Sequence, residues 1–191
     1  MAMEVGASPL RKGRSRGEGQ EAARLLVENR RLLPAGGLAL DVACGGGRNA
    51  LFLARHGLRV VAVDIDRAAL ELCQREARRR GLPVDAVQAD VMSFFLPPST
   101  YDVVVNFYFL ERDLCPRLAA ALRPGGLLFF ETFTVAQRQY GWGPSRDAWL
   151  LQPGELPTLF PTLAVLQYRE GHVVEGGRTK AIASLVARRL S

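Results

Sequence analysis

The chain has 191 residues, 48% of them hydrophobic and 23% charged, with a formal charge of +6. That is enough chain and enough apolar side chain for one domain with a single sizeable core, and no apolar run approaches the length of a bilayer span. Cys44, Cys73 and Cys115 are odd in number and share no CxxC spacing, which excludes a disulfide framework or a zinc site and favours a reducing cytoplasm. Lys12 and Lys180 are the only lysines, so the positive charge is almost all arginine. It fits an anionic partner, nucleic acid or small oxyanion, and fits better the coding bias of a GC-rich genome.

Residues 1–19 are rich in Gly, Ser and Arg and read as a loose arm, with no apolar stretch that would make a secretory signal. Residues 20–191 read as the domain. Ala22, Leu25, Leu26, Leu32 and Leu33 fall at helical spacing over Glu21 to Leu33, and Pro34-Ala35-Gly36-Gly37 ends the run. Strands are expected at 38–43, 59–64, 84–89, 101–106 and 126–133, and helices near 47–56, 67–80 and 111–122. Gly57, Gly81-Leu82-Pro83 and Pro124-Gly125-Gly126 supply the turns. This alternation predicts an α/β fold, a parallel sheet with helices on both faces. Leu163 to Arg169 and Thr179 to Arg188 are strand-like and joined through Glu170-Gly171-His172 and Glu175-Gly176-Gly177, so the sheet is expected to end in an antiparallel hairpin.

The chemistry concentrates between Leu38 and Asp66, in LALDVACGGGRNALFLARHGLRVVAVDID. Glycines after a first strand let backbone N–H groups approach a ligand, and the next helix adds its N-terminus. Gly45-Gly46-Gly47-Arg48-Asn49-Ala50 matches the dinucleotide pattern GxGxxG/A, and the nineteen residues from Gly45 to Asp64 suit that reading too. Asp41 separates the alternatives. A carboxylate four residues before the first glycine repels a pyrophosphate and suits a ligand carrying an ammonium group.

Ala39-Leu40-Asp41-Val42-Ala43-Cys44-Gly45-Gly46-Gly47 resembles the first motif, hhDhxCGxGxx, of class I S-adenosylmethionine-dependent methyltransferases, with Ala43 where many members have glycine. The resemblance implies a doubly wound, Rossmann-like, mostly parallel seven-stranded sheet. It implies that the backbone of Ala43, Cys44 and Gly45 packs against the methionine part of S-adenosylmethionine, with Asp41 beneath its amino group and Asn49 beside the turn. Asp64 would take both ribose hydroxyls and Ile65 would lie against the adenine. Val87-Gln88-Ala89-Asp90-Val91 resembles the adenine motif, with Asp90 accepting from the amino group and Val91 donating from its backbone. Asp90 as a helix N-cap is the competing account. Asn106 and Phe107, ending the fourth strand, would open beside the sulfonium, and Leu122-Arg123-Pro124-Gly125-Gly126-Leu127-Leu128 resembles the entry to strand five.

Within that family, the glycine turn, Glu131-Thr132-Phe133 and the tail from Arg178-Thr179-Lys180-Ala181 to Arg188 resemble the tellurite-resistance-type enzymes. The resemblance implies a small-molecule methyl acceptor, a soft or anionic nucleophile, with His172 and Arg178 near its opening. It implies no metal, with S-adenosylhomocysteine as product, in a monomer or homodimer. Tyr108 joins His172 and Arg178 as a candidate catalytic group, Glu111 is a further candidate base, and Arg112 and Arg146 are further anion holders. Unlike those enzymes, the chain has no aromatic residue in positions 1–20. The segment from Phe133 to Leu151, with Tyr140, Trp142 and Trp149, either covers the substrate or packs as a satellite core. Two other readings stand beside this one. A nucleic-acid amino-methyltransferase would want a proline pair that Asn106-Phe107-Tyr108-Phe109 lacks, and a cofactor-binding protein without turnover needs no catalytic residue.

Overall fold

A computed structural model describes residues 21–190; the arm expected at 1–19 lies outside the described residues. One seven-stranded sheet carries the domain: β1 (Leu38–Val42), β2 (Arg59–Asp64), β3 (Val84–Gln88), β4 (Tyr101–Phe107), β5 (Leu122–Phe133), β6 (Leu163–Glu175) and β7 (Arg178–Arg189). Their order is β3-β2-β1-β4-β5-β7-β6. The first five run parallel, and β7 enters antiparallel between β5 and β6. Strand order reverses between β1 and β4, so the chain crosses in opposite directions on either side of that pair. A crevice at the carboxyl ends of the two strands follows from that reversal. Val42 is paired there with Asn106.

Helices α1 (Arg24–Glu28), α2 (Arg48–Arg55), α3 (Arg67–Arg79), α4 (Cys115–Ala121) and α5 (Glu155–Thr158) cover the sheet. The fully buried Leu26, Leu53 and Cys73 pack with Phe129 on one face. Leu118, Leu156 and Phe160 pack with Leu40 and Phe130 on the other. Neighbouring residues of β1 and β5 thus point to opposite cores, as the strand period of two requires, and β1 is buried from Ala39 to Val42 because both faces are covered. Asp66 caps α3 by accepting from the N–H groups of Ala68 and Ala69. Among the described residues no helix is long and apolar enough to cross a membrane.

The first helix is shorter than the pattern predicts: α1 stops at Glu28, and Arg30–Leu32 form a 3-10 turn. Arg112–Leu114 likewise form a 3-10 turn before α4, which ends where Leu122 already pairs with Tyr101. The terminal hairpin is longer than expected. Its turn is Gly176-Gly177 alone, with φ of 57° and 73°, the left-handed pair that matches the twist of two strands. His172 is therefore a strand residue opposite Ala181, not part of a loop.

Between β5 and α5 the chain makes an excursion whose ends meet. Thr134 bridges Leu151; Val135 donates to the Leu151 carbonyl at 2.9 Å and Leu151 to that of Phe133 at 3.0 Å. Inside it, the fully buried Gln137 accepts from the Ala181 N–H at 2.8 Å and donates to the Trp142 carbonyl at 3.0 Å.

Candidate active site

The glycine turn begins one residue after β1. Ala43 has φ 51° and Gly45 φ 54°, so the alanine stands in the left-handed region where glycine is usual, at about 1 kcal/mol of backbone strain. Gly47 (φ 79°) precedes α2, and a Cβ there would fall 2.2 Å from the Cys73 sulfur. The turn and α3 pack too closely for a side chain. Asp41 is buried just below, at 1% exposure. The Cys44 thiol is pushed well up by its hydrogen bond with Cys73, by burial and by the charges of Asp41 and Asp64, which keeps it protonated and unreactive.

Asp64 ends β2 with one oxygen accepting from the Gly45 N–H at 2.7 Å and the other from the Asp66 N–H at 2.8 Å. Each oxygen keeps a further lone pair for a hydroxyl. Beside it Ile65 is 44% exposed, an apolar face left open at the sheet edge. One Asp90 oxygen accepts from Met92 N–H at 2.9 Å, and this carboxylate caps a turn rather than a helix; Val91 is buried. Asn106 is fully buried, donates to the Phe109 carbonyl at 2.7 Å, and leaves its Oδ1 without a hydrogen-bond partner among the described residues. A buried acceptor beside the end of β1, near a buried carboxylate, fits an ammonium group. These residues fit S-adenosylmethionine. Two neighbours have other work. Asn49 is buried with its carbonyl oxygen accepting from the Ala23 N–H at 2.9 Å, which ties α1 to α2, and the Phe107 side chain belongs to the core.

On the hairpin side the candidates separate. Tyr108, with φ 61°, is buried. Its hydroxyl lies 3.0 Å from Glu131 Oε1, 3.1 Å from Glu175 Oε2 and 3.0 Å from Lys180 Nζ. Burial, then the charges of Glu131 and Glu175, drive its pKa far above the ordinary phenol range. Tyr108 is therefore a held donor and not a ready base, a correction to its expected role. The Arg48 guanidinium lies 5.8 Å from the Tyr108 ring centre and Lys180 Nζ 4.7 Å from it. His172 is exposed and takes a 2.5 Å contact from the Tyr140 hydroxyl. Arg178 lies 5.4 Å over the Trp142 ring, and Trp142 meets Phe133 edge-on, with Phe133 against Tyr108. The structure thus brings Arg178 and Tyr108 to opposite ends of one aromatic row and sets His172 on the outer edge.

Arg112 is structural. It grips Glu155 with two nitrogens at 2.6 and 3.0 Å and donates to the carbonyls of Ala148 and Leu150. Arg146 stacks on Trp149 at 4.7 Å, and Glu111 is raised in pKa by burial and by Asp113. Motif reading missed Glu175, Lys180, Ser184 and Gln137 as parts of the site. Glu131 carried a signal, a carboxylate inside the apolar run Leu127 to Phe133.

Residues 39–126 match the family model described as a methyltransferase domain. The S-adenosyl-L-methionine-dependent Diels-Alderase iccD of Talaromyces variabilis is 35% identical over 103 residues, 49% of this chain and 35% of that protein. The ubiquinone biosynthesis O-methyltransferase of Nitrosococcus oceani is 33% identical over 112 residues, 56% of this chain and 48% of that protein. The chain therefore spans between a third and a half of the length of these curated relatives. Among solved structures, TehB from Haemophilus influenzae superposes with a TM-score of 0.72 at 19% identity, covering 86% of this chain and 61% of that one, a likeness of fold. Residues 39–126 are therefore a methyltransferase domain, and the motif order, the sheet order and the glycine turn all agree with its class I, S-adenosylmethionine-dependent kind.

Proposed function

We propose that this protein transfers the methyl group of S-adenosylmethionine to a small-molecule acceptor by direct in-line displacement, in a reducing compartment. The observation that carries this reading is that Asp41 near the end of β1 and Asn106, opposite Val42 on β4, are both buried at adjoining strand ends beside the glycine turn. A carboxylate and an open amide oxygen beside a glycine turn suit a cationic amino acid end and not a pyrophosphate. The sulfonium brings its own leaving group, so alignment is the main demand on the protein. Asp64 would orient the ribose, Ile65 and Asp90 the adenine, and the backbone of Ala43 to Gly45 the methionine chain. Arg178, stacked on Trp142, would meet the acceptor. The tail motifs shared with tellurite-resistance-type enzymes support a soft nucleophile as acceptor.

A second reading has its own support, because a relative is named a cofactor-dependent Diels-Alderase. In that reading the cofactor is held and no methyl moves. Calorimetry with S-adenosylmethionine, S-adenosylhomocysteine and NAD tests the donor. Binding of NAD and of neither sulfur compound would defeat the proposal. An acceptor screen that follows S-adenosylhomocysteine release then separates transfer from mere retention.

A further inference from the structure

A group of buried and half-buried polar side chains beside the donor pocket is not explained by cofactor binding. Glu131 on β5, Ser184 opposite it on β7, Tyr108 after β4, and Glu175 and Lys180 near the hairpin turn are in continuous contact. Their hydrogens can be counted. The Tyr108 hydroxyl owns one hydrogen, and Lys180 only donates. Lys180 therefore gives a hydrogen to the tyrosine oxygen, and the tyrosine hydrogen serves one of its two carboxylate neighbours, at 3.0 and 3.1 Å. The second short oxygen–oxygen contact needs another proton. If Glu131 carries it on Oε1, every group is satisfied: Glu131 donates to Tyr108, Tyr108 to Glu175, Lys180 to both Tyr108 and Glu175, and Ser184 to Glu131 Oε2 at 3.0 Å.

We infer that Glu131 is held as a neutral carboxylic acid, and that Glu131, Tyr108 and Glu175 form a proton relay from the acceptor side of the pocket to the surface. The acceptor is accordingly a protic one, a hydroxyl or a thiol. This rests on the methyl-transfer reading above. The two carboxyls have the right asymmetry: burial lifts the Glu131 acid, while at Glu175 burial is outweighed by the Lys180 hydrogen bond and charge, which lower it. Glu175 is also the outer end, with 31% of its side chain exposed. The charged groups facing the relay are Arg48 and Lys180, with Glu175 as the ionised carboxylate between them and solvent.

Methylation of an acceptor X–H by a sulfonium donor forms the X–C bond, breaks the C–S bond with its electron pair left on sulfur, and frees one proton. That proton passes to Glu131 Oε2 as the Oε1 proton moves to Tyr108 and the tyrosine proton to Glu175, which releases it to solvent. Atoms and charge balance, and Glu131 ends neutral as it began.

Infrared difference spectra of the full chain at neutral pH read the proton inventory without turnover. A protonated-carboxyl band is expected in the wild type, absent in Glu131→Gln and kept in Glu175→Gln, each variant first shown to bind S-adenosylhomocysteine. No such band in the wild type, or one that survives Glu131→Gln, overturns the inference. In turnover, 2-mercaptoethanol and catechol, both protonated at neutral pH, are the protic probes and iodide the aprotic one. Tyr108→Phe is expected to slow a protic probe by roughly 100-fold or more and to move its pH profile, with iodide unaffected. Equal losses for iodide and catechol overturn the relay. A wild type that fails to bind S-adenosylhomocysteine overturns the methyl-transfer reading instead.

Discussion

The Asp64 carboxylate accepts a hydrogen bond from the Gly45 N–H at 2.7 Å and so fastens the end of β2 to the glycine turn that follows β1. One side chain thus holds the turn in shape and presents oxygens toward the pocket. Hydrogen bonds to a charged group contribute about 1.5–3 kcal/mol each. Asp64→Ala is therefore expected to weaken S-adenosylhomocysteine binding by roughly 100-fold or more, and Asp64→Asn by less, since an amide oxygen still accepts from Gly45. Calorimetry measures both, and an unchanged affinity in Asp64→Ala would take this residue out of the site.

Gly47 and Gly81 are both left-handed, with φ of 79° and 62°, but only Gly47 is crowded: its Cβ would meet the Cys73 sulfur at 2.2 Å, and Gly81 has nothing within 4 Å. Gly81→Ala carries backbone strain alone, about 1–2 kcal/mol. Gly47→Ala carries that and a forced shift of α3, so it is expected to lose more stability and cofactor affinity together. Urea unfolding of the two variants side by side checks the ranking; equal losses would mean that α3 gives way freely.

Gln137 joins β7 to the excursion through Ala181 and Trp142 from a fully buried position. Gln137→Leu leaves a buried N–H and a carbonyl unpaired, at about 1–3 kcal/mol each. The expected outcome is faster proteolytic cutting between 138 and 147, with little change in S-adenosylhomocysteine affinity. Unchanged cutting would show that the bridge at Thr134 and Leu151 holds the segment unaided.

Burial raises the folded-state pKa of Glu131 above its ordinary value of 4.5. Its favourable contribution is complete below the unfolded value and is lost as pH rises through the folded one, because only the unfolded chain then gains by ionising. Glu131→Gln should flatten this part of the pH dependence. As pH rises above the ordinary value of 4.5, wild type should lose stability relative to the variant in denaturant titrations. Parallel curves would place an ordinary carboxyl at Glu131.

The donor half was legible because its parts lie close in sequence: Asp41 and the glycines share one strand and turn, and Asp64 ends the next strand. The parallel sheet and the antiparallel ending also followed from local patterns. The acceptor half was not, because it is assembled across β4, β5 and β7, joining Tyr108 to Lys180 and Glu131 to Ser184. No periodicity reports such contacts. His172 was misplaced for a local reason: Glu170-Gly171 looks like a turn, yet the strands run on to the Gly176-Gly177 pair.

The excursion from Thr134 to Leu151 starts and finishes on one bridge, while Phe133 keeps its own partner Ile182 on β7. It works as an interchangeable cassette. Its exposed positions can be rewritten without moving a strand register or touching the glycine turn, while the buried Gln137 stays as the clasp to β7. Evolution, or an engineer, could retarget such a scaffold by editing that insert and leaving the nucleotide half alone.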